Sequence, residues 1–208
     1  MAAIDWDRLG DLEDWNHAWR VTLDSGLSER YVPGEGDNPV AMVIGEAPGA
    51  QEDIALRPFV GAAGRVLRDL MAGAGLFTGQ TPHFGAANCW LTNTVHFRPP
   101  KNRTPTRDEI YVARSGLREE WLAIGKPRVI IPVGGAALHA VKFAKARPPI
   151  LALSGAVYEY HSKEDGELVY VWPMIHPSFG LRHKSMIRHI ESDWRRFKSW
   201  FHPASRWK

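Results

Sequence analysis

Three short stretches carry the residue types that could do chemistry. The first is Gly45-Glu46-Ala47-Pro48-Gly49-Ala50-Gln51-Glu52-Asp53, with Arg57-Pro58-Phe59-Val60-Gly61 close behind it; the second is Thr92-Asn93-Thr94; the third is His176-Pro177-Ser178. Glu46, Glu52 and Asp53 supply carboxylates, the glycines at 45 and 49 let the backbone come close to a bound group, and Phe59 offers a flat face to a planar ring. Asn93 can donate at one end of its amide and accept at the other, as reading the edge of a heterocycle requires. These types together fit a site that grips a planar heterocycle by face and by edge.

Strand ends must hold them. The apolar residues of Pro39 to Gly45 read as a buried parallel strand; Cys89 to Val95, Val129 to Val133 and Leu168 to Ile175 read as three more, the last running straight into His176. Open α/β sheets place ligands outside the carboxyl ends of their strands, so the three stretches should meet on one rim. Between the strands, Gly61 to Leu76 is an amphipathic helix with Val66, Leu67, Leu70 and Met71 inward. Thr106 caps a helix from about Arg107 to Ile124, with Glu109 closing a capping box. Gly134 to Lys145 is a short helix, Ala156 to Tyr160 a further strand before a turn at Glu164 to Gly166, and Ser185 to Phe201 a final helix. Three prolines, at 99, 100 and 105, are expected to keep the loop after Asn93 extended. Ahead of all this, Trp6 to Leu23 has helical spacing and Ser25 to Asn38 is a loop.

Strands alternating with helices predict an α/β fold whose parallel sheet is covered on both faces. A chain of 208 residues builds one well-filled core. A single domain is therefore expected over 1–208, with an N-terminal helix and loop at 1–38 and the α/β core at 39–208.

From residue 43 to roughly 182 these motifs, in this order, resemble the uracil-DNA glycosylase superfamily. The pairing of Gly-Glu-Ala-Pro-Gly with Arg-Pro-Phe-Val-Gly is most similar to its family-four enzymes. The resemblance implies a central four-stranded parallel sheet and a monofunctional DNA glycosylase, a hydrolase that cuts the N-glycosidic bond of uracil and leaves an abasic site at the start of base-excision repair. Such an enzyme must flip the nucleotide out of the duplex and grip the bare base. In that setting Phe59 stacks on the ring, and Asn93 donates to O4 and accepts from N3–H. His176 donates to O2 as charge grows there. Gly45 and Ala47 shape the pocket, and Glu52 crowds C5 against thymine's methyl. Ala47 stands where some relatives have Asp, which leaves Glu46 and main-chain groups to position the water. Ser178 is implied to bind a phosphate, and Phe179 and Leu181 to form a wedge that fills the emptied stack.

Two basic loops adjoin these motifs. His96 to Arg107 and Arg182 to His189 contain no acid, and Arg98, Lys101, Arg103, Arg182 and Lys184 are candidate backbone contacts. The overall charge of +3, with pI about 9.1, is only mildly basic, so this distribution carries the nucleic-acid reading. Expected partners are uracil-containing DNA, single- or double-stranded, and free uracil as product. No lysine falls inside the strand-end motifs to form a Schiff base, so strand cleavage is not expected. Lys101-Asn102-Arg103-Thr104-Pro105 also lacks the histidine with which a related group in the superfamily bonds covalently to the sugar. The alternatives are a non-catalytic binder of uracil-containing or abasic DNA, and a glycosylase for another deaminated base such as hypoxanthine or xanthine.

Family-four enzymes commonly carry an iron-sulfur cluster on cysteines in the N-terminal segment, before the Arg-Pro-Pro loop and in the following helix. This chain has one cysteine, Cys89, and Phe97 stands where the loop ligand would be. No cofactor and no metal are expected, with aromatic residues such as Trp15, Trp19 and Trp121 filling the space. An acidic N-terminus without a signal-peptide core, and no apolar run of about 18 residues, predict a cytoplasmic protein without a membrane span; a monomer is expected.

Overall fold

A computed structural model describes residues 26–37, 39–76, 89–141, 149–162 and 165–201. The expected N-terminal helix lies outside them. The sheet contains β1 (Ala41–Gly45), β2 (Cys89–Asn93), β3 (Val129–Pro132), β4 (Tyr158–His161) and β5 (Leu168–Val171), in the order β2-β1-β3-β5-β4. β2, β1, β3 and β5 run parallel to one another, while β4 runs antiparallel to β5 at the edge. The sheet is thus five-stranded and mixed, which corrects the expected four-stranded parallel one. The reason lies in the short connection 162–167, tied by Ser162 N–H to Glu167 O at 2.8 Å. A parallel pair needs a crossover of a dozen residues or more, so a connection this short returns an antiparallel strand.

The helices are α1 (Ala50–Ala55), α2 (Ala62–Gly73), α3 (Arg107–Ala123), α4 (Gly135–Val141), α5 (Ile150–Leu153), α6 (Pro177–Arg182) and α7 (Ile187–Phe201). β1 is buried on both sides: Ala41 and Val43 join a core with Leu67, Met71, Trp194 and Phe197, whereas Met42 and Ile44 join a second core with Leu117, Trp121 and Ala137. That period-two split is why helices cover both faces. α3 starts as its sequence dictates, with Thr106 accepting from Glu109 N–H at 3.2 Å and Glu109 accepting from Thr106 N–H at 2.7 Å. No helix of the described residues is long and apolar enough to cross a membrane.

Two expectations near the site change. β5 stops at Val171, short of the expected Ile175, although Trp172 and Met174 N–H still donate to Ile130 and Pro132 O of β3; an isolated bridge between Val133 and Met174 carries the chain on to His176. The loop after Asn93 is not extended throughout. It tightens into a turn at Pro100–Asn102, with Asn102 N–H donating to Pro99 O at 3.0 Å and Lys101 and Asn102 in the left-handed region at φ of 54° and 56°.

Candidate functional site

The three strand-end stretches meet around one cavity of about 480 Å³. Glu46 through Glu52, Phe59 and Gly61 through Gly64 line one side, Asn93 with Pro99 and Asn102 to Thr104 another, and His176, Ser178 and Arg182 the third. Asp53 is buried but does not line it.

Gly45 does not line the cavity, but it sets how closely two of the lining residues approach. A β-carbon there would lie 2.5 Å from both Asn93 Oδ1 and Phe59 Cζ, so only glycine lets the amide and the ring come this close to the end of β1. Asn93 is 3% exposed, and among the described residues neither end of its side-chain amide takes a hydrogen bond. The amide faces the cavity, where a ligand can pair with both of its ends. Behind it, His96 Nε2 lies 3.0 Å from Thr92 Oγ1, which donates to Glu120; Trp90 Nε1 donates to the other Glu120 oxygen at 2.7 Å. These bonds hold the end of β2 and the turn that follows.

Phe59 is 5% exposed and sits at φ 56°, in the left-handed region that non-glycine residues seldom occupy. Its main chain packs directly on Gly64 of α2, where a β-carbon would come within 2.3 Å of it. Glu52 braces the same wall from within. Its carboxylate accepts from Gly49 N–H at 3.1 Å and from Gly61 N–H at 2.6 Å, joining the starts of α1 and α2. Ala47 lines the cavity beside Glu46, whose carboxylate takes no hydrogen bond or ion pair among the described residues.

His176 caps α6, and its ring is oriented through Nδ1, which accepts from Ser178 N–H at 3.1 Å and lies 2.8 Å from Ser178 Oγ. Burial, with the nearby Arg182 charge, pushes the imidazole down from its ordinary 6.5 to about 4. It is therefore neutral near pH 7, and with Nδ1 used as acceptor the single proton resides on Nε2. Nε2 takes no partner among the described residues. This makes a preorganised neutral donor. Gly134, at φ 94°, lets the turn after β3 pass close by, since a β-carbon there would lie 3.2 Å from His176 Cβ. Ser178, expected at a phosphate, lines the cavity with its hydroxyl beside His176.

The basic residues differ in what they do. Arg103 is paired bidentately with the buried Glu109 at 2.6 and 2.8 Å, which fastens the loop at the cavity rim, and Arg98 donates to Asn102 Oδ1 at 2.7 Å. Lys101, Arg182 and Lys184 are exposed. Phe179 packs against the first core and against His183, whereas Leu181 is 50% exposed on α6. Of the two expected wedge residues, Leu181 is the one that protrudes.

A family-four cluster does not fit the residues present. Cys89 is wholly buried in β2, its thiol pushed up to about 12 chiefly by burial, and one thiol cannot replace four. Among the described residues no group of three or more His, Cys, Asp or Glu is gathered to hold a metal ion. Where the loop ligand would stand, Phe97 meets Tyr31 edge to face at 5.6 Å, and Tyr31 stacks on His96 at 5.0 Å. Trp121 belongs to the core under α3, with Nε1–H donated to Pro127 O, and Trp15 and Trp19 lie outside the described residues.

Sequence reading missed Glu35, Arg68 and Gly64, which support Phe59 from 5 to 24 positions away in the chain. Gly64 follows Ala62 and Ala63, so its size did not set it apart. Glu35 and Arg68 carried no local pattern.

Comparison with known proteins gives a consistent picture. The family model described as the uracil DNA glycosylase superfamily matches residues 33–199. The type-4 uracil-DNA glycosylase of Archaeoglobus fulgidus is 34% identical over 169 residues, 80% of this chain and 79% of the relative. That of Pyrobaculum aerophilum is 44% identical over 104 residues, 50% of this chain and 48% of the relative. The type-5 enzyme of the same organism is 35% identical over 89 residues, 43% of this chain and 36% of the relative.

Proposed function

This chain belongs to the uracil DNA glycosylase superfamily, and we propose that it hydrolyses the N-glycosidic bond of uracil in DNA, releasing free uracil and leaving an abasic site. The observation that carries the reading is the amide of Asn93, without a hydrogen bond among the described residues and facing the cavity beside the Phe59 ring. The cavity falls within the range of about 300 to 1,000 Å³ usual for small-molecule sites. A flipped uracil stacks on Phe59 while Asn93 donates to O4 and accepts from N3–H. Cytosine offers an amino group and a bare ring nitrogen on that edge, so it leaves both ends of the amide opposed.

As the C1′–N1 bond breaks, its electron pair moves into the base and O2 becomes negative. His176 Nε2–H donates to it, and a neutral donor costs nothing in reorganisation at that moment. Glu46, with its carboxylate unengaged, orients the water that attacks C1′. The wall built on Glu52, Gly49 and Gly61 excludes thymine's methyl. Lys101, Arg182 and Lys184 contact phosphates, and Leu181 enters the stack. No step requires a metal.

The test is incubation of the purified chain with oligonucleotides that contain uracil, hypoxanthine or only normal bases, followed by alkali. Alkali-labile breaks at uracil alone are expected. Tight binding of uracil-DNA without breaks would make the chain a binder, and breaks at hypoxanthine alone would change the substrate.

A further inference from the structure

The left-handed backbone of Phe59 is held by residues distant in the chain. Arg68, whose side chain is 3% exposed, donates Nε–H to Phe59 O at 3.0 Å and Nη2–H to Pro58 O at 2.8 Å. The same Nη2 pairs with the carboxylate of Glu35, and Arg57 Nε donates to the other Glu35 oxygen at 2.8 Å. One planar guanidinium thus collects the two carbonyls that flank the Phe59 turn, a geometry an ammonium cannot reproduce.

Glu35 is itself fixed to the sheet. It exchanges both main-chain hydrogen bonds with Leu91, N–H to O at 2.9 Å and back at 2.7 Å, extending pairing beyond the edge strand β2. Leu91 lies two residues before Asn93 on that strand. A continuous connection therefore runs from the edge-reading amide through β2 to Glu35, then Arg68, then the carbonyl of the stacking residue. Burial would raise the Glu35 carboxyl, but hydrogen bonds from Arg57 and Arg68 outweigh it and hold it below the usual carboxylate range. The connection stays charged at neutral pH.

We propose that Glu35 and Arg68 are positioning residues for uracil excision, which register the stacking face of Phe59 against the reading edge of Asn93 by tying the Phe59 turn to β2. The proposal rests on the uracil reading above. It goes further in assigning the fit of the base to a pair that touches no substrate and does not line the cavity.

Two quantities report on base fit: inhibition by free uracil, and the single-turnover excision rate. Base–aromatic stacking sets the expected size, a loss of about 10-fold or more in Glu35→Gln, in Arg68→Lys and in Phe59→Leu. If the pair acts through Phe59, Glu35→Gln and Arg68→Lys add almost nothing in the Phe59→Leu background. Losses that multiply there, or uracil inhibition unchanged in the single variants, overturn the proposal. If Glu35→Gln does not fold, Arg68→Lys carries the same expectation, because it keeps the charge beside Glu35 and gives up only the fork across Pro58 and Phe59. Wild-type protein that excises no uracil contradicts the proposed function itself, and that result is read before any variant.

Discussion

His176 and Asn93 illustrate two ways in which burial prepares a side chain. For His176 it removes a charge. The folded value of about 4 lies below the ordinary 6.5, so between those values the unfolded chain binds more protons than the folded one. Stability from this group is complete above pH 6.5 and is lost as pH falls toward 4. The same depression predicts an excision rate with no histidine step near pH 6.5. A pH profile of single-turnover rates checks this, and a step there that disappears in His176→Ala would show an ordinary histidine. For Asn93, burial leaves an amide at the cavity wall that the proposed base would pair with. Asn93→Ala should cut excision by the cost of one buried unpaired group, about 1 to 3 kcal/mol, while affinity for abasic DNA hardly moves. Excision assayed beside abasic-duplex binding decides it, and equal losses in both would make Asn93 a structural amide. Both residues were legible in the sequence, because Asn93 ends one apolar run of an α/β pattern and His176 directly follows another. The neutral state of His176 was not, because it depends on what folds around it and on Arg182, six positions away.

The helices and strands were read with uneven success, and the physical reasons differ. α3 was legible at its start because a Thr-x-x-Glu box is a local signal. Thr106→Ala should therefore lower stability by about 1 kcal/mol, with uracil excision at saturating enzyme unchanged; denaturant unfolding measures the first and single-turnover assay the second. A stability loss near zero would mean that Glu109, through Arg103, holds the start of α3 without the hydroxyl. The parallel strands were legible as apolar runs, but the direction of β4 was not, since period-two patterning says nothing about orientation. α1 and α6 were missed because each is about one and a half turns long, too short to show a period. They matter beyond their length. α1 carries Glu52, which joins two glycine turns, and α6 carries the bonds from Ser178 that set the His176 tautomer.

Viewed whole, the molecule gathers at one rim what is scattered over some 130 residues of chain, from Gly45 to His176. The exposed cations lie beside that rim, so affinity for duplex DNA should fall as salt rises, with a slope reduced by about one when Lys101 or Lys184 is replaced by Gln. Titrations at several salt concentrations read that slope, and one that does not change removes these lysines from the interface. The paired Arg103 is expected to act on the loop rather than on phosphate, a distinction the sequence could not draw because Glu109 looked committed to its cap alone. The central claim is that this rim breaks a glycosidic bond with His176 as the donor to the leaving base. Its most direct test is the single-turnover excision rate of His176→Ala on uracil-containing duplex, measured together with DNA affinity. The predicted result is a rate about 100- to 1,000-fold below wild type with affinity almost unchanged; excision at the wild-type rate, or rate and affinity lost in equal proportion, would contradict it.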